Sequence, residues 1–281
     1  MFDTKEILTE LGFDGSERVT NVTGGTDATL WRVQYKNKTF ALRLFPAGRR
    51  IDTEVSLMQV AAASGLPVPA VHATLLYRDC PVMLVDWCPG APLTHALMKQ
   101  PWRVGPLGAA FGRAQAAIHR IQQPPSTEWV EWAGPGEAAL KARLRSMPLQ
   151  SALIHLDYHP LNVMTDGETI TGVLDWTNAR IGDPRADFAR TYTILRVEVI
   201  TPGIQPPHLT VMRWALERAW RRGYESAAGK LTDMAPFYAW AGAAMIHDWE
   251  PRVGKPGFWI QQHHLDRVRR WRDGWKRRAG L

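Results

Sequence analysis

The stretch that most restricts this chain is Ile154-His155-Leu156-Asp157-Tyr158-His159-Pro160-Leu161-Asn162-Val163, followed after a short strand by Leu174-Asp175-Trp176. Leu153–His155 reads as a short buried strand. Val163–Thr165 and Ile170–Asp175 read as a hairpin around the Asp166-Gly167 turn. Asp157, Asn162 and Asp175 are thereby tied to strand ends. A loop leaving a buried strand puts Asp157 where it can meet a hydroxyl. Asn162 can turn back towards a metal, and the hairpin carries Asp175 to the same ion. One carboxylate beside a hydroxyl, with one Asn and one Asp for Mg²⁺, suits transfer of a phosphoryl group, because Mg²⁺ takes few protein oxygens and leaves the rest to water and phosphate. A Pro-bearing surface loop with a chance Asp and Asn would account for either segment alone. It does not account for both at hairpin separation, behind five strands and a glycine turn.

Those strands occupy the first ninety or so residues. Val19–Val22 runs into Gly24-Gly25, Leu30–Tyr35 alternates, Lys36-Asn37-Lys38 turns, and Thr39–Phe45 follows. Ile51, Val55, Met58 and Ala62 recur at helical spacing, with Asp52 or Thr53 as the expected cap and Gly65 as the end. Ala70–Tyr77 and Pro81–Asp86 read as two more strands. Cys88-Pro89-Gly90 breaks the pattern, and helices dominate beyond it, beginning with the stripe Leu107, Ala110, Phe111, Ala114, Ile118 and Ile121. Further helices are predicted from about Asp187, Pro207, Thr232 and Phe258.

In this order of elements and in its motifs the chain resembles the aminoglycoside phosphotransferase and choline kinase superfamily, which shares the protein-kinase-like fold. The likeness is most specific over His155–Ala189, and Asp175-Trp176 stands where protein kinases carry D-F-G. The resemblance implies an α+β, two-lobed architecture: residues 1–87 as an antiparallel sheet lobe for nucleotide, and 88–281 as a mainly helical lobe with the catalytic loop and acceptor site. It implies Asp157 as base, Asn162 and Asp175 as Mg²⁺ ligands, and ATP or GTP as phosphate donor. His155 and Asp187 would support the loop. Gly24, Gly25 and Thr26 lack a Walker A or full G-x-G-x-x-G pattern, yet they stand where the family has a short nucleotide loop. Arg43 stands where related kinases often carry Lys, with Glu54 as its expected partner; an Arg fork can hold both phosphate and carboxylate. Backbone groups at Asp86 and Cys88 would meet the nucleobase. The implied activity is phosphorylation of a small hydroxylated molecule, an aminoglycoside or related antibiotic first. Alternatives are a metabolic kinase for choline, a sugar or an amino alcohol, or a nucleotide-binding regulator without turnover. No A-P-E segment follows Asp175, which argues against a protein kinase.

Composition narrows the setting. A chain of 281 residues with 45% hydrophobic and 22% charged residues is ordinary for a globular protein with a sizeable core. Cys80 and Cys88 form neither a C-x-x-C pair nor a disulfide framework, which predicts a reducing, cytoplasmic setting. The uncharged run Val55–Tyr77 is broken by Gly65, Pro67 and Pro69, so no membrane span is expected. The net charge of +7 lies entirely beyond Glu250: nine Lys/Arg from Arg252 onward oppose Asp266 and Asp273. A basic C-terminal helix without a reader motif does not predict nucleic-acid binding. Seven of the thirteen Trp lie between Trp214 and Trp275 and read mainly as packing. His247-Asp248-Trp249-Glu250 stands out, since two carboxylates beside a Trp would suit a cationic acceptor, although a solvated helix end before Pro251 explains it equally.

Overall fold

The structure is a computed structural model describing residues 3–22, 28–197, 207–255 and 260–281. Gly24, Gly25 and Thr26 lie outside the described residues. The chain divides into two compact units, one of residues 1–89 with 171–177, the other of residues 90–170 with 178–281. A single later segment, residues 171–177, thus belongs to the first unit.

In the first unit, α1 (Thr4–Glu10) precedes the sheet. Its start is fixed by Asp3, whose Oδ1 accepts from the Lys5 and Glu6 N–H groups at 2.9 and 3.4 Å. The strands β1 (Arg18–Val22), β2 (Thr29–Tyr35), β3 (Lys38–Leu44), β4 (Val71–Tyr77) and β5 (Cys80–Asp86) form an antiparallel sheet in the order β1-β2-β3-β5-β4. Arg78 and Asp79, both at positive φ, close the β4–β5 hairpin in the mirror-image turn that matches strand twist. One face packs Val33, Phe40, Leu42, Leu44, Val82 and Leu84 against Ile7 and Leu8 of α1. Helix α2 (Asp52–Ala63) lies between β3 and β4. Its N-cap is Ile51 without a side-chain hydrogen bond, so neither Asp52 nor Thr53 caps it; Gly65 at φ 77° does terminate it.

In the second unit, β6 (Ala91–Pro92) pairs with β8 (Val163–Thr165), and β7 (Ala152–Ile154) pairs antiparallel with β10 (Arg180–Gly182). The strand β9 (Ile170–Val173) crosses the division between the units and ends two residues short of the expected Asp175, because Asp175 adopts φ 60°, a left-handed backbone that no strand continues. The helices are α3 (Leu93–Lys99), α4 (Val104–Ile118), α5 (Ala138–Arg145), α6 (Pro184–Val197), α7 (Pro207–Ala228), α8 (Ala235–Trp249) and α9 (Gln262–Arg278). Helix α8 is buried on every side from Pro236 to Ile246, as a run with so few polar residues requires, and it forms the centre of the unit. Helices α4 and α7 touch backbone to backbone: a Cβ on Gly112 would stand 2.0 Å from the Trp220 carbonyl, and one on Gly223 2.1 Å from that of Ala109. On α9, Leu265 and Val268 are buried, while Trp271 and Trp275 pack on Tyr238. Two of the helix's cations, Arg272 and Lys276, hold Glu137 at 3.2 and 2.9 Å, so part of the C-terminal charge excess is spent internally.

Candidate active site

The loop after β7 is built on a buried carboxylate. Asp187, one turn into α6, is fully buried. Its Oδ1 accepts the Leu156 N–H at 2.6 Å; its Oδ2 accepts the His155 N–H at 3.3 Å, Gln115 Nε2 at 3.2 Å and meets His119 Nε2 at 2.8 Å. Burial alone would push the Asp187 carboxyl up, but His119 and these donors hold it below the ordinary carboxylate value. Asp187 is therefore no mere cap of α6. It nails the loop's first two peptides to the helix. Tyr158 adds a second anchor: its ring stacks on Phe111 with centroids 4.5 Å apart, its hydroxyl donates to the Phe111 carbonyl at 2.7 Å, and its own carbonyl accepts Thr191 Oγ1 at 2.8 Å.

Between those anchors Asp157 turns outward, with its side chain 25% exposed. Asn162 Nδ2 donates to the Asp157 carbonyl at 3.0 Å and to Oδ2 at 3.1 Å. His159 Nε2 stands 3.6 Å from Oδ2, while its Nδ1 accepts the Leu161 N–H at 3.3 Å, so His159 braces the loop. His155 is fully buried, with its Nδ1 facing the Asp157 N–H at 3.3 Å, and it is a second internal brace. Burial raises the Asp157 carboxyl, but the His159 hydrogen bond and the charges of His159, Arg190 and His155 outweigh it and bring the value down to about 2. Asp157 is thus an ionised, aimed acceptor at neutral pH. A carboxylate in this state can orient a hydrogen-bond donor brought against it and offer it charge.

With Nδ2 committed to Asp157, Asn162 has its amide carbonyl left to ligate a cation. In the first unit, Asp175 has a buried Oδ1 with no hydrogen-bond partner among the described residues. A buried carboxylate oxygen left in that state fits a cation ligand. Among the described residues no group of three or more His, Cys, Asp and Glu gathers in metal-holding geometry; an Asn-plus-Asp donor set is of a different composition.

Also in the first unit, Arg43 Nη1 donates to Glu54 Oε1 at 2.8 Å, with Glu54 5% exposed. Two partners were not foreseen in the sequence. Thr177 Oγ1 reaches Glu54 Oε2 at 3.3 Å, and Arg49, 3.8 Å from that oxygen, donates to Thr177 Oγ1 at 2.8 Å. Arg49 and Thr177 carry no periodicity or motif that would single them out. At the end of β5 the Asp86 N–H is taken by the Ala70 carbonyl at 3.0 Å, and the Asp86 carboxylate by His72 at 2.6 Å and the Ala70 N–H at 3.3 Å. Burial, with the nearby Asp86 charge, pushes the Cys88 thiol up to about 11, which makes it an unreactive neutral group.

The two carboxylates of the His247–Glu250 cluster are both engaged by arginines, Asp248 by Arg190 at 3.4 Å and Glu250 by Arg269. Sequence reading missed Arg190, although it stands one helical turn after Asp187 and so shares its face.

The sequence model of the Phosphotransferase enzyme family matches residues 18–140 and 127–240. The chain belongs to that family. Phosphotransferase membership thus covers the stretches holding Arg43, Glu54, Asp157, Asn162, Asp175 and Asp187, while Asp248 and α9 fall beyond the match. A candidate aminoglycoside phosphotransferase from Ralstonia eutropha JMP134 superposes with a TM-score of 0.71 at 20% identity, covering 98% of each chain. The amicoumacin kinase hAmiN, solved with AMP-PNP, Ca²⁺ and Ami, gives 0.66 at 13% identity over 99% of this chain and 94% of that one. A thermostable mutant of aminoglycoside phosphotransferase APH(4)-Ia, solved with AMP-PNP and hygromycin B, gives 0.67 at 15% identity over 100% and 99%. At these identities the likeness establishes the two-lobed, kinase-like α+β fold. The Bacillus subtilis (strain 168) protein YcbJ, described as uncharacterized, is 47% identical over 45 residues, a match spanning 16% of this chain and 15% of that protein. Among the described residues no helix is long and apolar enough to cross a membrane.

Proposed function

We propose that this phosphotransferase moves the γ-phosphate of ATP or GTP onto a hydroxyl of a small acceptor, with Asp157 as the base. The observation that carries this reading is the Asp157 carboxylate itself, ionised, partly exposed, and aimed by the amide of Asn162. Asp157 would receive the hydroxyl's hydrogen bond, align its oxygen for attack, and take its proton as the new P–O bond forms. Asn162 and Asp175 would ligate Mg²⁺. Bound there, the ion neutralises charge on the phosphate oxygens. The proposal that the two residues share one ion rests on their spacing in sequence, since each is described within its own unit. Arg43, held by Glu54, would face phosphate. Residues 1–87 would serve the nucleotide, with Gly24, Gly25 and Thr26 at its phosphates and backbone groups of Asp86 and Cys88 at its base. Residues 88–281 would serve the acceptor.

For the acceptor, an aminoglycoside or related antibiotic is supported by the ligands named for the structural neighbours, hygromycin B and Ami. A second reading, a sugar or amino alcohol of metabolism, is favoured by the arginines that already occupy Asp248 and Glu250, since a polycationic acceptor needs carboxylates to spare. Acceptor-dependent release of ADP and GDP, measured on purified protein across aminoglycosides, macrolides, choline and sugars, decides between them. Nucleotide binding without release on any acceptor would sink the kinase reading.

A further inference from the structure

Leu156, immediately before Asp157, has φ 61°. A leucine rarely adopts that backbone and keeps it only where its surroundings insist. Asp187 holds the Leu156 N–H at 2.6 Å, and Arg190 Nε donates to the Leu156 carbonyl at 3.2 Å. Both peptide planes flanking this residue are thus gripped by two side chains one turn apart on α6. The plane that Arg190 holds is the one that joins Leu156 to Asp157, and a planar peptide passes its orientation to the next Cα.

Arg190 is poorly explained as a contribution to stability. It is 5% exposed, and its Nη1 is buried without a hydrogen-bond partner among the described residues. Burying a cation with an unmet donor costs more than an apolar side chain of the same length would. The rest of its contacts fix where the guanidinium stands: Nη2 lies 3.4 Å from Asp248 Oδ2 on α8, and the guanidinium carbon lies 5.4 Å from the Trp132 ring centroid. A planar fork is suited to meeting a carbonyl along one edge and a carboxylate along another; an ammonium is not.

We propose that Arg190 is a positioning residue for the base, fixing the Leu156–Asp157 peptide and with it the direction of the Asp157 carboxylate, while Asp248 and Trp132 keep its guanidinium in register. This rests on the reading of Asp157 given above, so the test has one arm that needs no turnover. In that arm, amide hydrogen exchange is followed over the loop from His155 to Asn162 in wild type, Arg190→Ala and Arg190→Lys. Both variants are expected to exchange at least about tenfold faster in the loop than wild type, with α7 unchanged, because local opening loses one of its clamps. In the second arm, kcat with a working acceptor is expected to fall about 10- to 100-fold in Arg190→Ala with the KM for nucleotide unchanged, the scale of a misplaced catalytic group. Guanidinium chloride added to Arg190→Ala should restore part of kcat, and sodium chloride at the same concentration should not. Wild-type loop exchange in a folded Arg190→Ala, or in Arg190→Lys should the alanine variant fail to fold, overturns the proposal whatever the activity. A wild type without acceptor-dependent transfer breaks the proposed function instead, and exchange still decides the role of Arg190.

Discussion

The surroundings of Glu54 in the first unit and of Asp187 in the second both bury a carboxylate, and they hold it differently. Glu54 is met by side chains: Arg43, Thr177 and, at longer range, Arg49. Asp187 is met by two backbone N–H groups besides Gln115 and His119. Side-chain partners can be exchanged while the main chain stays where it is. Backbone partners cannot, because His155 and Leu156 follow directly on β7 and are placed by it. The contrast teaches that the loop carrying Asp157 is a property of the fold, whereas the Arg43–Glu54 pair is adjustable.

The sharpest way to break that comparison is to remove the backbone-bound carboxylate. Asp187→Ala is expected to lose about 3–5 kcal/mol, the usual scale for leaving the partners of a buried charge unmet, and to lose turnover with it. Denaturant unfolding measures it, and a loss under 1 kcal/mol on the order of a surface change would place Asp187 among ordinary helix caps. Next comes Asp175→Ala, expected to abolish turnover and raise any remaining Mg²⁺ requirement, since its buried oxygen would no longer be available to a cation. A magnesium titration matching wild type would move the metal site elsewhere. Asp157→Asn should cut kcat by about 10²- to 10⁴-fold with nucleotide affinity nearly intact, as for loss of a general base; steady-state kinetics with wild-type kcat would remove Asp157 from the chemistry.

Smaller effects sharpen the comparison. Because the Asp187 carboxyl lies below its ordinary value in the folded protein, its ionised form adds stability that is fully present above the unfolded value of about 3.9 and fades as pH falls towards the folded one. The gap in Tm between wild type and Asp187→Asn should therefore be steady from neutral pH down to about 4 and narrow below it. A gap that widens on acidification would contradict the assignment of that carboxylate as the ionised partner. Smallest of all should be Arg43→Lys, which keeps the charge and loses the fork; nucleotide titration should show weakening of about tenfold or less, and Arg43→Ala should be worse. Unchanged affinity in Arg43→Ala would leave Arg43 a structural partner of Glu54 alone.

Much of this was legible in the sequence where a pattern repeats or a motif has fixed spacing. The alternation of β2 and β3 and the stripe of α4 are patterns. The Asp157-to-Asn162 interval is a motif. The rest depended on contacts that local patterns do not encode. Helix α1 is only seven residues long and owes its start to Asp3. The end of β9 at Val173 depends on the left-handed turn of Asp175. Arg49 meets Thr177 across 128 positions of chain, and nothing near either residue announces the other. The pairing of Asp248 with Arg190 likewise joins residues 58 positions apart, beyond the reach of any local pattern.

The glycine contact between α4 and α7 sets a limit on how this protein can diversify. At Gly112 and Gly223 even one added methyl would drive into a neighbouring carbonyl, and at Gly108 it would meet the Ala219 methyl at 2.6 Å. Such positions admit no stepwise exploration. A change at one would require the partner helix to shift along its whole length, and two bulky replacements cannot compensate each other. Drift among descendants of this chain must therefore leave that seam untouched and run through surfaces such as the exposed Trp102, Val211 and Trp214, where new side chains cost little. In a saturation library these glycines should appear as blank columns beside freely varying neighbours on the same helices.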